Sequence, residues 1–83
     1  MDVTLGYLRE SLSNYTEKYP SCQKIYTMLK ENQYKNESEF VNDLNEADVA
    51  VLDLVLKNEI TYAKKEQDHK RADELNEVYE LLF

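Results

Sequence analysis

The chain has 83 residues and carries 17 acidic against 10 basic side chains, a formal net charge of -7 at pH 7. That length allows one domain, spanning 1–83, with a single modest core. Nucleic acids and anionic membranes are bound through clustered lysine and arginine, so the charge argues against both as partners. With one glycine and one proline, the chain lacks the turn residues of a sheet protein and favours helices joined by short polar connections.

Two helices are predicted in the first third of the chain. Apolar residues at steps of three and four predict a helix over residues 3–18, namely Leu5, Leu8, Leu12 and Tyr15. Proline is tolerated in a first helical turn, so Tyr19-Pro20 marks a boundary. A second stripe then predicts a helix over residues 20–32, formed by Cys22, Ile25, Tyr26 and Leu29.

Two asparagines predict the starts of the next helices. Asn36, followed by Glu39, resembles a capping box and opens a short helix over residues 37–44. Asn45 is a second cap, with acidic residues in the first turn of a helix over residues 46–66. The apolar run VAVLDLVL within it also suits a buried strand, but no other segment offers a strand partner. We therefore expect this helix to be buried at the centre of the fold.

The polar segment 64–71 leaves open whether the C-terminal half is one helix or two. The apolar stripe before it and the stripe after it point in directions about 120° apart on one straight helix. A break near Gln67 and Asp68, with Asp68 capping a final helix over residues 69–82, removes the mismatch. The sequence thus predicts an all-α bundle of about five helices around helix 46–66.

No catalytic, cofactor-binding or metal site is predicted, and no cofactor. His69 is the single histidine and lies in the most polar stretch, where neither an orienting carboxylate nor a pocket is predicted. Cys22 is the single cysteine and fits an apolar stripe better than the site of a nucleophile. Glu66 and His69 have the Glu-x-x-His spacing of helical metal sites, but one such pair is half a site.

Tyrosines and acids are the candidates for an interaction surface. Tyrosine suits both half-buried packing and protein interfaces. Residues 36–56 contain acids and no lysine or arginine, which indicates either solvated helix faces or a surface for a basic partner. The candidate residues are Tyr7, Tyr15, Tyr19, Glu37, Glu39, Asp43, Glu46 and Asp48.

The two ends of the chain carry a resemblance. MDVTLGYLRESLSN at the start and EITYAKKEQDHKRADELNEVYELLF at the end resemble small uncharacterised proteins of Bacillus-type bacteria. The segment ELNEVYELL is the most specific part. The resemblance implies a compact acidic helical protein of a Gram-positive cytoplasm and implies no activity or site residues.

These observations favour a non-enzymatic, cytoplasmic protein that acts by protein–protein interaction. Its partner is unknown, and a basic protein is the candidate that the acidic segment suggests. The alternative is an acidic inhibitor of a nucleic-acid-binding protein, in which the acids of 36–56 imitate phosphates on one continuous exposed face. The apolar C-terminus, Leu81 to Phe83, docks on its own chain, on a partner or on a second copy, so a homodimer stays an open alternative.

Overall fold

Five α-helices form the backbone of residues 3–83 in the computed structural model, which describes that part of the chain. In chain order they are α1 (Val3–Leu12), α2 (Pro20–Glu31), α3 (Glu37–Val41), α4 (Glu46–Lys65) and α5 (His69–Leu81). Residues 3–83 contain no strand, so the predicted all-α bundle is confirmed and the apolar run 49–56 is helical.

The first helix is shorter than predicted. α1 ends at Leu12, and residues 13–18 form turns rather than the last part of a helix over 3–18. In these turns the Tyr15 N–H donates to the Leu12 carbonyl at 2.9 Å, and the Ser13 hydroxyl donates to the Glu10 carbonyl at 2.6 Å. Serine and asparagine side chains compete for backbone hydrogen bonds in this way, which ends a helix that has little left to bury.

Asparagine caps start α3 and α4 as predicted. The Asn36 side chain accepts a hydrogen bond from the Glu39 N–H at 2.9 Å. Asn45 and Asp48 form a reciprocal capping box, in which each side chain accepts from the other residue's N–H. α3 ends at Val41 instead of residue 44.

The core lies between the faces that α1, α2, α4 and α5 turn toward one another. α4 packs against α5 and α2, while α5 also packs against α1 and α3. The long helix α4 is therefore central, but it shares that position with α5, and its Leu54 is 46% exposed. The largest fully buried apolar side chains are Phe40, Leu5, Leu8, Leu12, Ile25, Leu29, Leu52, Leu56, Leu75, Val55 and Val78.

The chain reverses between α4 and α5 at the predicted place. The Asp68 N–H donates to the Ala63 carbonyl at 2.8 Å, and the Gln67 N–H donates to the Lys64 carbonyl at 3.1 Å. This pair of bonds is the Schellman pattern that terminates helices, and it puts Gln67 in the left-handed region with φ of 59°. Asp68 then caps α5 by accepting from the Arg71 N–H at 3.3 Å. The second apolar stripe can therefore fold back onto the first.

Replacing Gln67 by glycine is expected to stabilise the protein by about 0.5–1 kcal/mol, because glycine adopts positive φ without a steric cost from Cβ. Gln67→Val should destabilise it by about 1 kcal/mol or more, since a β-branched residue is strained there. Urea unfolding followed by circular dichroism measures both. Lys65→Gly, at the last helical position of α4, is the control and should lower stability. A Gln67→Gly protein that is less stable than the original would contradict the role given to this turn.

Candidate interaction surface

Two of the three candidate tyrosines are brought together after α1. The rings of Tyr15 and Tyr19 stack with centroids 6.4 Å apart, and the Lys18 ammonium lies 5.8 Å from the Tyr19 centroid. The Tyr15 hydroxyl donates to the Glu59 carboxylate at 3.2 Å. Burial, followed by the nearby Glu59 charge, raises the pKa of Tyr15. These rings are half-buried and tie the turns after α1 to α4.

Tyr7 lies apart from that pair, beneath Arg71 of α5. The guanidinium carbon is 5.3 Å from the Tyr7 ring centroid, within the range of a cation–π contact. Arg71 also donates to Glu10 at 3.3 Å and lies 3.4 Å from the Asp68 carboxylate. Arg71 is therefore occupied in joining the start of α5 to α1.

The candidate acids lie in different environments. Glu39 and Glu46 are exposed, and Glu37 at the start of α3 is half-buried. Asp48 is buried, with 1% of its surface exposed, so its side chain presents almost no surface to a partner. The reason is local: as the third residue of α4 it turns inward to complete the capping box with Asn45 and to meet Lys24 of α2 at 2.8 Å.

Asp43 also serves the fold. The Tyr34 hydroxyl donates to its carboxylate at 2.9 Å, while the Tyr34 ring meets Phe40 edge-on with centroids 5.6 Å apart. Desolvation of the phenol, followed by the hydrogen bond to Asp43, raises the pKa of Tyr34 to about 12. The contact fixes the connection between α2 and α3 against the core.

A further group of carboxylates joins α1, α3 and α5. The buried Thr4 hydroxyl donates to Glu74 and, at 3.4 Å, to Glu77. A hydrogen bond between the carboxyl groups of Glu37 and Glu77 is the main cause that raises the pKa of Glu77, and the charge of Glu74 adds to it. Glu37 thus faces other acids rather than the candidate tyrosines.

A cleft of about 550 Å³ opens where the turns after α1, the end of α4 and the start of α5 meet. Its walls combine the two residue types that the sequence singled out, but with other members than those predicted. Glu59 and Tyr62 lie on α4, and Glu66 is the residue that caps its C-terminus. The three follow one another at steps of three and four and all line the cleft. The lining residues are Asn14, Glu59, Tyr62, Ala63, Glu66, Asp68 and Arg71.

The acids of this cleft differ in their partners. Asp68 caps α5 and pairs with Arg71. Glu59 accepts the Tyr15 hydroxyl, and within residues 3–83 neither Glu59 nor Glu66 has a cation within salt-bridge distance. The sequence-based interaction surface did not include these two glutamates, because it followed the base-free segment 36–56, and Glu66 was considered only as a metal ligand beside His69. The signal that could have found them is the spacing Glu59-x-x-Tyr62-x-x-x-Glu66 on the polar side of α4.

The two residues weighed for chemistry lie in contrasting surroundings. Cys22 is completely buried in the core, and this burial raises the pKa of its thiol, which suppresses the reactive thiolate. His69 is exposed as the first residue of α5. Across residues 3–83, no three histidine, cysteine or acidic side chains are grouped so that they could hold a metal ion. In the same residues no helix combines the length and apolar character needed to cross a membrane.

Comparison with known proteins places the chain in a family. The family model described as "Minor curli fiber component A" matches residues 1–83. A relative from Bacillus subtilis (strain 168), named "Sigma-G-dependent sporulation-specific SASP protein", is 58% identical over 83 residues and is covered, like this chain, over 100% of its length. The chain belongs to this family. No solved structure matches.

The family membership confirms part of the resemblance seen in the sequence. A small Bacillus-type family is correct. The expectation that this family is uncharacterised is wrong, because the Bacillus subtilis member carries a name that assigns it to sporulation. With identity of 58% over the full length, the similarity also extends well beyond the two terminal segments on which the resemblance was based.

Replacing Asp48 by alanine is expected to lower the free energy of unfolding by about 2–4 kcal/mol, because it removes the acceptor of the Asn45 N–H in the capping box and leaves Lys24 without its carboxylate partner. Asp73→Ala, at an exposed site on α5, is the control and should stay within about 0.5 kcal/mol. Denaturant titrations at pH 7 compare the two. Equal stability of both variants would show that Asp48 has no special role.

Alkaline stability should depend on Tyr34. The ordinary pKa of 10.0 applies in the unfolded chain, so the raised pKa of about 12 makes the folded state bind the phenol proton more tightly. The stabilisation is fully present below pH 10 and is lost as pH rises toward 12. Tyr34→Phe should lower the free energy of unfolding by about 1 kcal/mol at pH 7, and the decline of that free energy above pH 10 should become smaller. Tyr62→Phe, which changes an exposed ring, is the control and should lose stability above pH 10 as the original protein does. If Tyr34→Phe shows the same loss above pH 10, Tyr34 is not its cause.

Proposed function

We propose that this chain is a small non-enzymatic protein made for spore formation, and that it acts in the cytoplasm of the sporulating cell by binding a basic protein. The observation that carries the proposal is the full-length similarity, at 58% identity, to a relative named as sigma-G-dependent and sporulation-specific. A relation of this extent supports a shared setting for the two proteins.

The surface supports binding rather than chemistry. The formal net charge is -7. The buried Asp48 is paired with Lys24 and holds α4 against α2. The acids with exposed side chains include Glu39, Glu46 and Glu66, which leaves negative charge available for a cationic partner. Charge of one sign over a surface speeds association with a partner of opposite charge and selects against like-charged ones.

Two narrower functions receive less support. A phosphate-imitating inhibitor needs the acids of 36–56 on one exposed face, and in this chain Asp48 is buried while Asp43 is bonded to Tyr34. The family description refers to a fiber component. A fibre of the cross-β type is built from stacked extended segments, whereas the apolar run 49–56 of this chain lies within α4. We therefore do not extend the proposal to either function.

The proposal is tested by capture from extracts of sporulating cells on the purified protein. A variant with five exposed or half-exposed acids neutralised should lose a basic protein that the original retains, and raised salt should weaken the retention. The substitutions are Glu39→Gln, Glu46→Gln, Glu59→Gln, Glu66→Gln and Glu80→Gln. The control neutralises five exposed lysines instead, and it should retain the protein: Lys30→Gln, Lys35→Gln, Lys64→Gln, Lys65→Gln and Lys70→Gln.

Circular dichroism of both variants verifies that they fold. Failure to retain any basic protein, or equal loss from both variants, would contradict the proposal. Equal retention from extracts of growing and sporulating cells would argue against a role confined to spore formation.

A further inference from the structure

We propose that the cleft between α4 and α5 is a binding site for primary ammonium groups, the chemistry shared by lysine side chains and linear polyamines. This inference rests on the proposed function, because it names the cationic group that a basic partner would present. It concerns Glu59, Tyr62 and Glu66, none of which belongs to the acid-rich segment 36–56.

The charges of the cleft leave a surplus of two carboxylates. Of its four charged residues, Asp68 and Arg71 compensate each other at 3.4 Å. Arg71 is further held by Glu10 at 3.3 Å and by the ring of Tyr7, so it is not available to neutralise the other walls. Glu59 and Glu66 make no salt bridge to any residue that the structure describes. A cation entering the cleft would find two uncompensated carboxylates.

An exposed aromatic ring lies between those carboxylates. Tyr62 is 61% exposed, whereas the other six tyrosines of the chain are half-buried or buried. It follows Glu59 on α4 by three residues and precedes Glu66, the C-cap residue of that helix, by four, and all three line the cleft. The face of a tyrosine ring attracts ammonium groups, and this attraction gives the site a feature that scattered surface acids lack.

The spacing favours a ligand with two ammonium groups. Glu66 is seven residues after Glu59, and seven helical steps correspond to about 10 Å along the axis of α4. An alkyl chain between two ammonium groups would lie across the Tyr62 ring. The Tyr15 hydroxyl holds Glu59 at 3.2 Å, so this carboxylate is positioned before any ligand arrives.

A bound ammonium group would be attracted both by the Tyr62 ring and by the carboxylate of Glu59, which is already held in place. The Asn14 side chain adds an amide to the wall opposite α4 and offers an oxygen acceptor. A guanidinium group binds one carboxylate through two parallel hydrogen bonds in a plane, whereas an ammonium group is a compact point charge. The two separated carboxylates of this cleft match two ammonium groups better. We therefore assign the cleft to ammonium rather than guanidinium groups.

The test is a titration followed by amide chemical shifts in ¹⁵N-labelled protein. One arm uses spermidine, and the other uses a short peptide with two lysines separated by glycines. The same peptide with both lysines acetylated is the ligand control. We expect shifts concentrated in residues 59–68 and at Asn14 for the two ammonium ligands, and none there for the acetylated peptide.

Variants test the individual walls. Glu59→Gln together with Glu66→Gln should weaken binding about ten-fold or more, whereas Glu39→Gln together with Glu80→Gln removes the same charge elsewhere and should change it less than two-fold. Tyr62→Ala should weaken binding about three-fold, and Tyr62→Phe should preserve it, because the ring and not the hydroxyl meets the cation.

Each outcome decides something. Binding of the lysine peptide alone supports the site and identifies protein lysines as its ligand, and binding of spermidine alone supports the site and identifies a free polyamine. Absence of localised shifts with both ligands, or equal weakening by the two charge-matched double variants, overturns the inference. If that happens while the captured basic protein is still retained, the proposed function stands and only its location in the cleft is wrong.

Discussion

The reversal of the chain at Gln67 and Asp68 is the constraint on which the rest of the structure depends. α4 and α5 carry apolar stripes that would point in different directions along one straight helix, so neither could complete a core. The Schellman bonds to Ala63 and Lys64 end α4, and Asp68 at once caps α5. α5 can then pack on α4, α1 and α3, and the same reversal forms the floor of the cleft.

The polar residues divide into those that hold the fold and those that are left free. Asp48 with Lys24 joins α4 to α2, and Asp43 with Tyr34 joins the two connections that flank α3. Asp68 with Arg71 fixes the start of α5. These contacts give each acid a polar partner, which Asp48 in particular requires because it is buried. Glu59 and Glu66 have no cationic partner in residues 3–83, and they lie beside an exposed ring. The candidate site is therefore distinguished by carboxylates that lack a cationic partner, and not by a high number of acids in one segment.

Much of the fold was predictable because its signals are local. The asparagine caps at Asn36 and Asn45 and the boundary at Pro20 depend on residues within one turn, and the helices start where these signals predict. The end of α1 was less predictable. Tyr15 continues the apolar spacing, yet it serves a contact with Glu59 far along the chain, and the helix has already ended at Leu12. Spacing alone does not reveal which residue a tyrosine will meet.

The sequence by itself determined the helical class, the five segments and the break near Gln67, since periodicity, caps and the near absence of glycine and proline act over short distances. Only the tertiary structure decided which charges matter. Asp48 looks like any acid in a first helical turn until α2 brings Lys24 to it. Glu59 and Glu66 become a candidate site only when the reversal places Asp68 and Arg71 beside them. Burial and pairing are properties of elements packed together, and a linear pattern does not contain them.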